Sequence, residues 1–168
     1  PAPGATQRRA WADTIVAKHQ SVAPVNVAAV ARELGVSVFA ADLGQGVSGV
    51  LKRDSQSGSS GYTIYVQKSH PLPRQRVTVA HELGHFVLHS SYFNPDVGIK
   101  DDEFYRALPG PLETQANQYA ADLLMPWKLI NQLQNAGSTD LPSLANKLAV
   151  SRQALAIRLG LPYDQTWE

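Results

Sequence analysis

Three of the five histidines of this chain fall within nine residues, in the segment AHELGHFVLH. On a helix, residues four apart lie about 40° apart around the axis and one turn apart along it. His81 and His85 can therefore grip one ion, while Glu82 projects to the side of the same face. Imidazole nitrogen suits Zn²⁺, which in catalytic sites takes three protein ligands and leaves one position for water. The spacing predicts a hydrolytic zinc site with Glu82 as the general base.

The alternative is that these histidines are ordinary hydrogen-bonded groups of a core or a surface. Both histidines and Glu82 lie in an otherwise apolar helix, where an unpaired charge is costly, and this favours the metal site. His89 lies about 12 Å from His81 along the axis, which is too far to share the ion. We interpret His89 as a core residue or as a group that contacts a metal ligand without binding the ion itself.

A third ligand must come from further along the chain. Glu113 is preferred because its segment, LETQANQYAADLL, predicts a regular helix that can hold it rigidly. The other candidates lie in a weakly patterned stretch: Asp96, Asp101, Asp102 and Glu103. Asn117, one turn after Glu113, is placed either to bond the outer nitrogen of a ligand histidine or to make an ordinary interhelical hydrogen bond.

The elements that must position these residues are predicted from periodicity and from helix start and stop signals. Helices are expected at residues 6–19, 24–34, 74–89, 112–125 and 127–134, and two more within 141–160, capped by Ser151 and stopped by Gly160. Strands are expected at residues 36–40, 46–52 and 62–67, forming a small antiparallel sheet. The loop of residues 90–111 is long enough to be functional or to hide a short helix, for which DDEFYRAL is the candidate.

Length and composition indicate a globular α+β protein. A chain of 168 residues with 43% hydrophobic residues fits one domain, or one domain with a small appendage. There is no cysteine, which excludes disulfides and thiolate metal sites and suits a reducing compartment. The net charge of +1 gives little of the attraction that a nucleic-acid binder needs. We divide the chain into a peptidase domain (1–135) and a helical tail (136–168).

Two segments resemble the signatures of the ImmA/IrrE family of metallo-endopeptidases. RQRVTVAHELGHFVLH is similar to the family's active-site helix, and LETQANQYAADLLMP is similar to its second signature. The resemblance covers most of the chain. It implies a zincin-like fold, in which the sheet packs on the active-site and ligand helices. It also implies that His81, His85 and Glu113 bind Zn²⁺ and that Glu82 is the catalytic acid and base.

The resemblance further implies a cytoplasmic protein that cleaves a helix-turn-helix repressor in a stress response or a related regulatory system. The alternative is a zinc-bearing sensor or interaction module without peptidase activity. The substrate is expected to lie along an exposed strand edge, plausibly YTIYV. The tail resembles a helix-turn-helix with Arg152 and Gln153 at base-reading positions, but its few positive charges favour packing or partner docking over DNA binding.

Overall fold

We describe the protein from a computed structural model, which covers residues 5–54, 58–92 and 110–162. The helices are α1 (Ala5–His19), α2 (Val27–Glu33), α3 (Leu72–His89), α4 (Gly110–Leu124), α5 (Trp127–Asn135), α6 (Leu141–Leu148) and α7 (Arg152–Leu159). The strands are β1 (Val36–Ala41), β2 (Gly49–Arg53) and β3 (Tyr62–Gln67). The α+β class predicted from the sequence is confirmed. The candidate helix DDEFYRAL and the four acidic residues that rivalled Glu113 lie outside the described residues.

The sheet is mixed and not wholly antiparallel. Its strand order is β1-β3-β2, with β2 and β3 antiparallel and β1 parallel to β3. The alternating pattern of a strand identifies it but does not order it among its neighbours. β3 takes the centre because four of its six residues are buried, as a strand covered on both faces requires. YTIYV is therefore a central strand, and its prediction as a substrate-binding edge is wrong.

Helix α3 is the central element of the core. It packs against the sheet, α1, α2 and α4, and its buried apolar residues, Val79, Ala80, Leu83, Phe86 and Val87, cover a broad face of the helix. Gly84 permits the close approach of α4, because a Cβ at this position would lie 3.1 Å from the Cα of Ala116. The backbones of the two helices that carry the candidate metal ligands therefore lie very close together at this point.

The tail helices have the predicted caps. Ser151 accepts a hydrogen bond from the Ala154 N–H at the start of α7, and Gly160 ends that helix with a φ of 67°. Leu148 and Leu155 belong to the same cluster of buried side chains as the rest of the core. The division of the chain near residue 135 stays a prediction. Among the described residues, no helix is both long and apolar enough to cross a membrane.

Arginine side chains tie the tail to the rest of the protein. Arg76 on α3 donates to the carbonyl oxygens of Ala149 and Val25, at 3.1 and 2.8 Å. On α7, Arg158 donates to the carbonyl oxygen of Met125. These hydrogen bonds add polar links to the apolar packing between the tail and the elements before it.

Candidate metal centre

The metal-ligating groups predicted from the sequence meet at one point between α3 and α4. His81 and His85 face each other with their Nε2 atoms 3.0 Å apart. Glu113 approaches both: its Oε2 lies 3.2 Å from His81 Nε2, and its Oε1 lies 3.2 Å from His85 Nε2. In the part of the chain that the structure describes, this is the one group of histidine and acidic side chains with the spacing of a metal site.

Hydrogen bonds on the outer side of each ring determine which ring nitrogen carries a proton. His81 Nδ1 lies 2.8 Å from Asn117 Oδ1, which can only accept, so the proton is on Nδ1 and the lone pair of Nε2 faces Glu113. Of the two roles considered for Asn117, the structure thus shows the hydrogen bond to the outer nitrogen of His81. His89 Nε2 donates in the same way to Gln115 Oε1, at 2.9 Å. His89 Nδ1 is then an acceptor, and His85 Nδ1, 2.9 Å away, must donate to it.

The converging atoms suit a cation. When both rings are neutral and protonated on Nδ1, the two Nε2 atoms present lone pairs to each other and to a carboxylate, and a cation between them removes the repulsion. In a tetrahedral zinc site with bonds of 2.0–2.1 Å, ligand atoms lie about 3.4 Å apart, close to the separations found here. The donor set, two imidazoles and one carboxylate, matches that of a catalytic zinc site. The residues therefore fit a divalent metal ion.

Burial keeps His85 in the form that a metal needs. Burial, with smaller contributions from the electrostatic interactions with His81 and His89, lowers the pKa of His85 to about 3. A neutral imidazole is required for coordination, since a protonated one has no lone pair to give. His85 is thus ready to coordinate across the neutral pH range. The His85 side chain is 2% exposed, whereas that of His81 is 20% exposed and lies nearer the solvent side of the site.

Glu82 lies beside the three candidate ligands but does not belong to them. Its side chain is buried, and its Oε2 has no hydrogen-bond partner among the described residues. Burial and the nearby charge of Glu113 raise the pKa of Glu82, and a backbone hydrogen bond from Leu51 lowers it. The net result is a pKa of about 8. A divalent cation at the centre would oppose both of the raising effects and favour the carboxylate. Glu82 therefore places a buried carboxyl oxygen beside the three candidate ligands, and that oxygen has no hydrogen-bond partner among the described residues.

An open cleft of about 790 Å³ leads to these residues. One wall is α3, and the other is β2 with the segment before it, residues 45–50. Gly49 allows this wall to come close, since a Cβ there would be 2.3 Å from Thr78 Cγ2 and 3.3 Å from Glu82 Oε1. Arg74 also lines the cleft and donates to Ser48 Oγ at 3.2 Å. The cleft is large enough for a segment of polypeptide.

The sequence alone did not indicate every residue that surrounds the site. His89 had no predicted partner, and neither Gln115 nor Gly49 was among the predicted site residues. His89 follows His85 at the same four-residue spacing as His85 follows His81, so the helical repeat could have indicated the contact. Nothing in the spacing indicated Gly49, because its proximity to Glu82 depends on how β2 packs against α3.

The chain is similar to known proteins. Residues 31–160 match the sequence model of a peptidase family described as the IrrE N-terminal-like domain. A curated relative, Metallopeptidase ImmA of Bacillus subtilis (strain 168), is 32% identical over 91 residues, which are 54% of this chain and 48% of that protein. The chain thus spans about half the length of this relative.

A solved structure shares the fold. It is that of a Mycobacterium tuberculosis transcriptional regulator, and it superposes with a TM-score of 0.61 at 16% sequence identity. The superposition covers 94% of this chain and 48% of that one. At this identity the likeness concerns the fold alone.

Proposed function

Because the chain belongs to the ImmA/IrrE family of metallopeptidases, we propose that it is a zinc-dependent endopeptidase acting on a protein substrate. The observation that carries the proposal is the convergence of three lone-pair donors beside a buried glutamate oxygen that has no hydrogen-bond partner among the described residues. His81, His85 and Glu113 would hold the ion. When bound, zinc would polarise the scissile carbonyl group and make water a nucleophile at neutral pH.

Glu82 is the residue that moves the proton. Its carboxylate removes a proton from the attacking water and delivers it to the amine nitrogen that leaves when the peptide bond breaks. The low exposure of Glu82 strengthens this exchange, since little water competes for the carboxylate. Asn117 holds the His81 ring in position through the hydrogen bond to Nδ1.

β2 lies at the edge of the sheet formed by the described residues, and its outer edge offers a place for the substrate backbone. The Ser48 carbonyl group accepts from the Gln67 N–H at 2.9 Å, and in an antiparallel register this turns the backbone groups of Gly49 away from β3. Gly49 lines the cleft next to the candidate ligands. An extended substrate segment pairing there would present its carbonyl groups to the metal centre.

The substrate class we propose is a helix-turn-helix repressor or a related regulatory protein, as the resemblance to the family implies. Such repressors act in the cytoplasm, and we place the protein there, in a stress response or similar regulatory circuit. The alternative is a zinc-bearing module that binds its partner without cutting it. Both use the same metal centre, so only the fate of the partner separates them.

The test compares the zinc-loaded protein with its Glu82→Gln variant. Each is incubated with helix-turn-helix proteins encoded beside the gene, and the products are analysed by mass spectrometry. We expect defined fragments with the unaltered protein and intact partner with Glu82→Gln, although both bind zinc equally. Cleavage at the full rate by Glu82→Gln would refute the assignment of the base. A partner that is bound but never cut would favour the non-enzymatic alternative.

A further inference from the structure

A chain of hydrogen bonds runs from the metal centre through the core to the surface of α4. It begins at His85 Nδ1, passes 2.9 Å to His89 Nδ1, and continues from His89 Nε2 over 2.9 Å to Gln115 Oε1. His89 is 1% exposed, whereas Gln115 is exposed on α4. A buried histidine needs hydrogen-bond partners for its ring nitrogens, but any suitable polar groups would serve. The two partners of His89 are instead a candidate metal ligand and a residue of another helix.

The direction of these hydrogen bonds is fixed from the outer end. The Gln115 oxygen can only accept, so His89 carries its proton on Nε2 and offers a lone pair on Nδ1. That lone pair requires a proton on His85 Nδ1, which leaves the lone pair of His85 on Nε2, toward Glu113. The other tautomer of His85 would put a proton where the metal ion must bind.

We propose that His89 and Gln115 are positioning residues that hold His85 in the tautomer and orientation required of a metal ligand. The inference rests on the proposed function only in that a metal binds at His81, His85 and Glu113. Asn117 serves His81 directly, with an oxygen on Nδ1. His85 lies deeper, so an acceptor on α4 reaches it through the intervening imidazole of His89.

The consequence concerns affinity for the metal. Groups that hydrogen-bond the outer nitrogen of a ligand histidine typically change metal affinity 10- to 100-fold when they are removed. Without Gln115, the proton of His89 is no longer held on Nε2 and can move to Nδ1. His85 then populates both of its tautomers. Part of the population must be rearranged before it can bind the ion, and the apparent affinity falls by that fraction.

Gln115→Leu tests this inference, and Gln118→Leu is the matched control. Both glutamines are exposed on α4, but Gln118 donates only to Asp122 on its own helix among its described hydrogen bonds. Zinc affinity is measured by competition with a chelating dye. We expect Gln115→Leu to weaken zinc binding about tenfold and Gln118→Leu to leave it unchanged. Gln115→Glu keeps an acceptor oxygen and should retain the affinity.

A second readout needs no metal and no activity. Nitrogen-15 chemical shifts of the histidine rings in the metal-free protein distinguish a protonated from an unprotonated ring nitrogen. We expect His85 of the unaltered protein to be protonated on Nδ1, and a mixture of tautomers in Gln115→Leu. His89→Phe, which keeps the volume of a ring but removes the acceptor, should act in the same direction.

The outcomes separate this inference from the proposed function. If the unaltered protein binds no zinc, the proposed metal centre fails, whatever the tautomers are. If it binds zinc and Gln115→Leu binds with an affinity within about twofold of it, the positioning role is refuted, since a lost outer hydrogen bond should cost more. A proton on His85 Nε2 in the unaltered metal-free protein would also overturn it.

Discussion

Gly84 on α3 lies against Ala116 on α4, such that a Cβ at Gly84 would be 3.1 Å from both the Cα and the carbonyl oxygen of Ala116. These are backbone atoms that cannot rotate aside. His85 follows Gly84 directly, and Glu113 lies three residues before Ala116. The absence of a side chain at one position therefore sets how closely the imidazole of one helix approaches the carboxylate of the other.

We predict that Gly84→Val lowers both stability and metal affinity. The added carbon atoms force the helices apart, which should cost roughly 3 kcal/mol in the free energy of unfolding. It should also separate Glu113 from the two imidazoles. Gly110→Val is the control, since Gly110 lies on α4 and a Cβ there would meet no atom of the described residues within 4 Å. Urea denaturation and zinc titration of both variants provide the measurement. Equal zinc affinity in the two would contradict the role of Gly84.

Replacing Glu113 by Gln should have opposite effects on the metal-free and metal-bound proteins. In the metal-free protein the amide group of Gln can donate a hydrogen bond to an imidazole lone pair, which a carboxylate cannot do. We expect the metal-free variant to be more stable by about 1 kcal/mol, the usual net gain from one hydrogen bond. Zinc binding should be severely weakened.

Thermal denaturation with a chelator, followed by zinc titration, checks both halves of this prediction. Glu33→Gln is a suitable control because Glu33 contacts only Lys18 and His19 among its described ion pairs, far along the chain from the site. A metal-free Glu113→Gln protein that is less stable than the unaltered one would contradict the repulsion between lone pairs.

The wall of the cleft offers a pair of residues for a double-mutant experiment. Gly49→Ala should impair cleavage and stability, because its Cβ would lie 2.3 Å from Thr78 Cγ2 and 3.3 Å from Glu82 Oε1. Thr78→Ser removes that methyl group but keeps the hydroxyl group, which donates to the Arg74 carbonyl oxygen. We expect Thr78→Ser to recover much of the stability lost in Gly49→Ala, a coupling of about 1–2 kcal/mol. Strictly additive effects in urea denaturation would show that the two side chains do not clash.

Arg158 should be essential for docking the tail. Its guanidinium group lies 2.9 Å from Asp122 Oδ1 and 4.9 Å from the centre of the Trp127 ring. Lys keeps the charge but loses the planar fork, so we expect Arg158→Lys to destabilise the protein by about 1–2 kcal/mol. Lys147→Met, at an exposed position of α6, should change stability by less than about 0.5 kcal/mol. Urea denaturation of both variants is the measurement, and equal effects would refute the prediction.

The sequence predicted the elements well, because their signals are local. The β3 bounds, residues 62–67, agree with the structure, and the caps at Ser151 and Gly160 follow from the conformations that those residue types favour. The spacing of His81 and His85 was also a local signal, since one helix fixes both. The order of the strands was not predictable from periodicity, which describes each strand separately.

The features of the site that were not predicted from the sequence depend on contacts between elements. Gln115 reaches His89 because Gly84 allows α4 to lie close to α3, and neither residue alone indicates the other. Gly49 approaches Glu82 only after β2 has paired with β3 at the sheet edge. Such relationships depend on packing at long sequence separation, where a single sequence carries little information.

The two hydrogen bonds of Arg76 have a consequence for how the protein opens. One guanidinium group on α3 holds the chain just before α2 at Val25 and the turn between α6 and α7 at Ala149. Burial lowers the pKa of Arg76, yet the guanidinium group stays charged. Breaking either hydrogen bond therefore leaves a partly desolvated cation without one of its two carbonyl partners, which is costly. The entrance to α2 and the turn of the tail should therefore exchange their amide hydrogens as one cooperative unit.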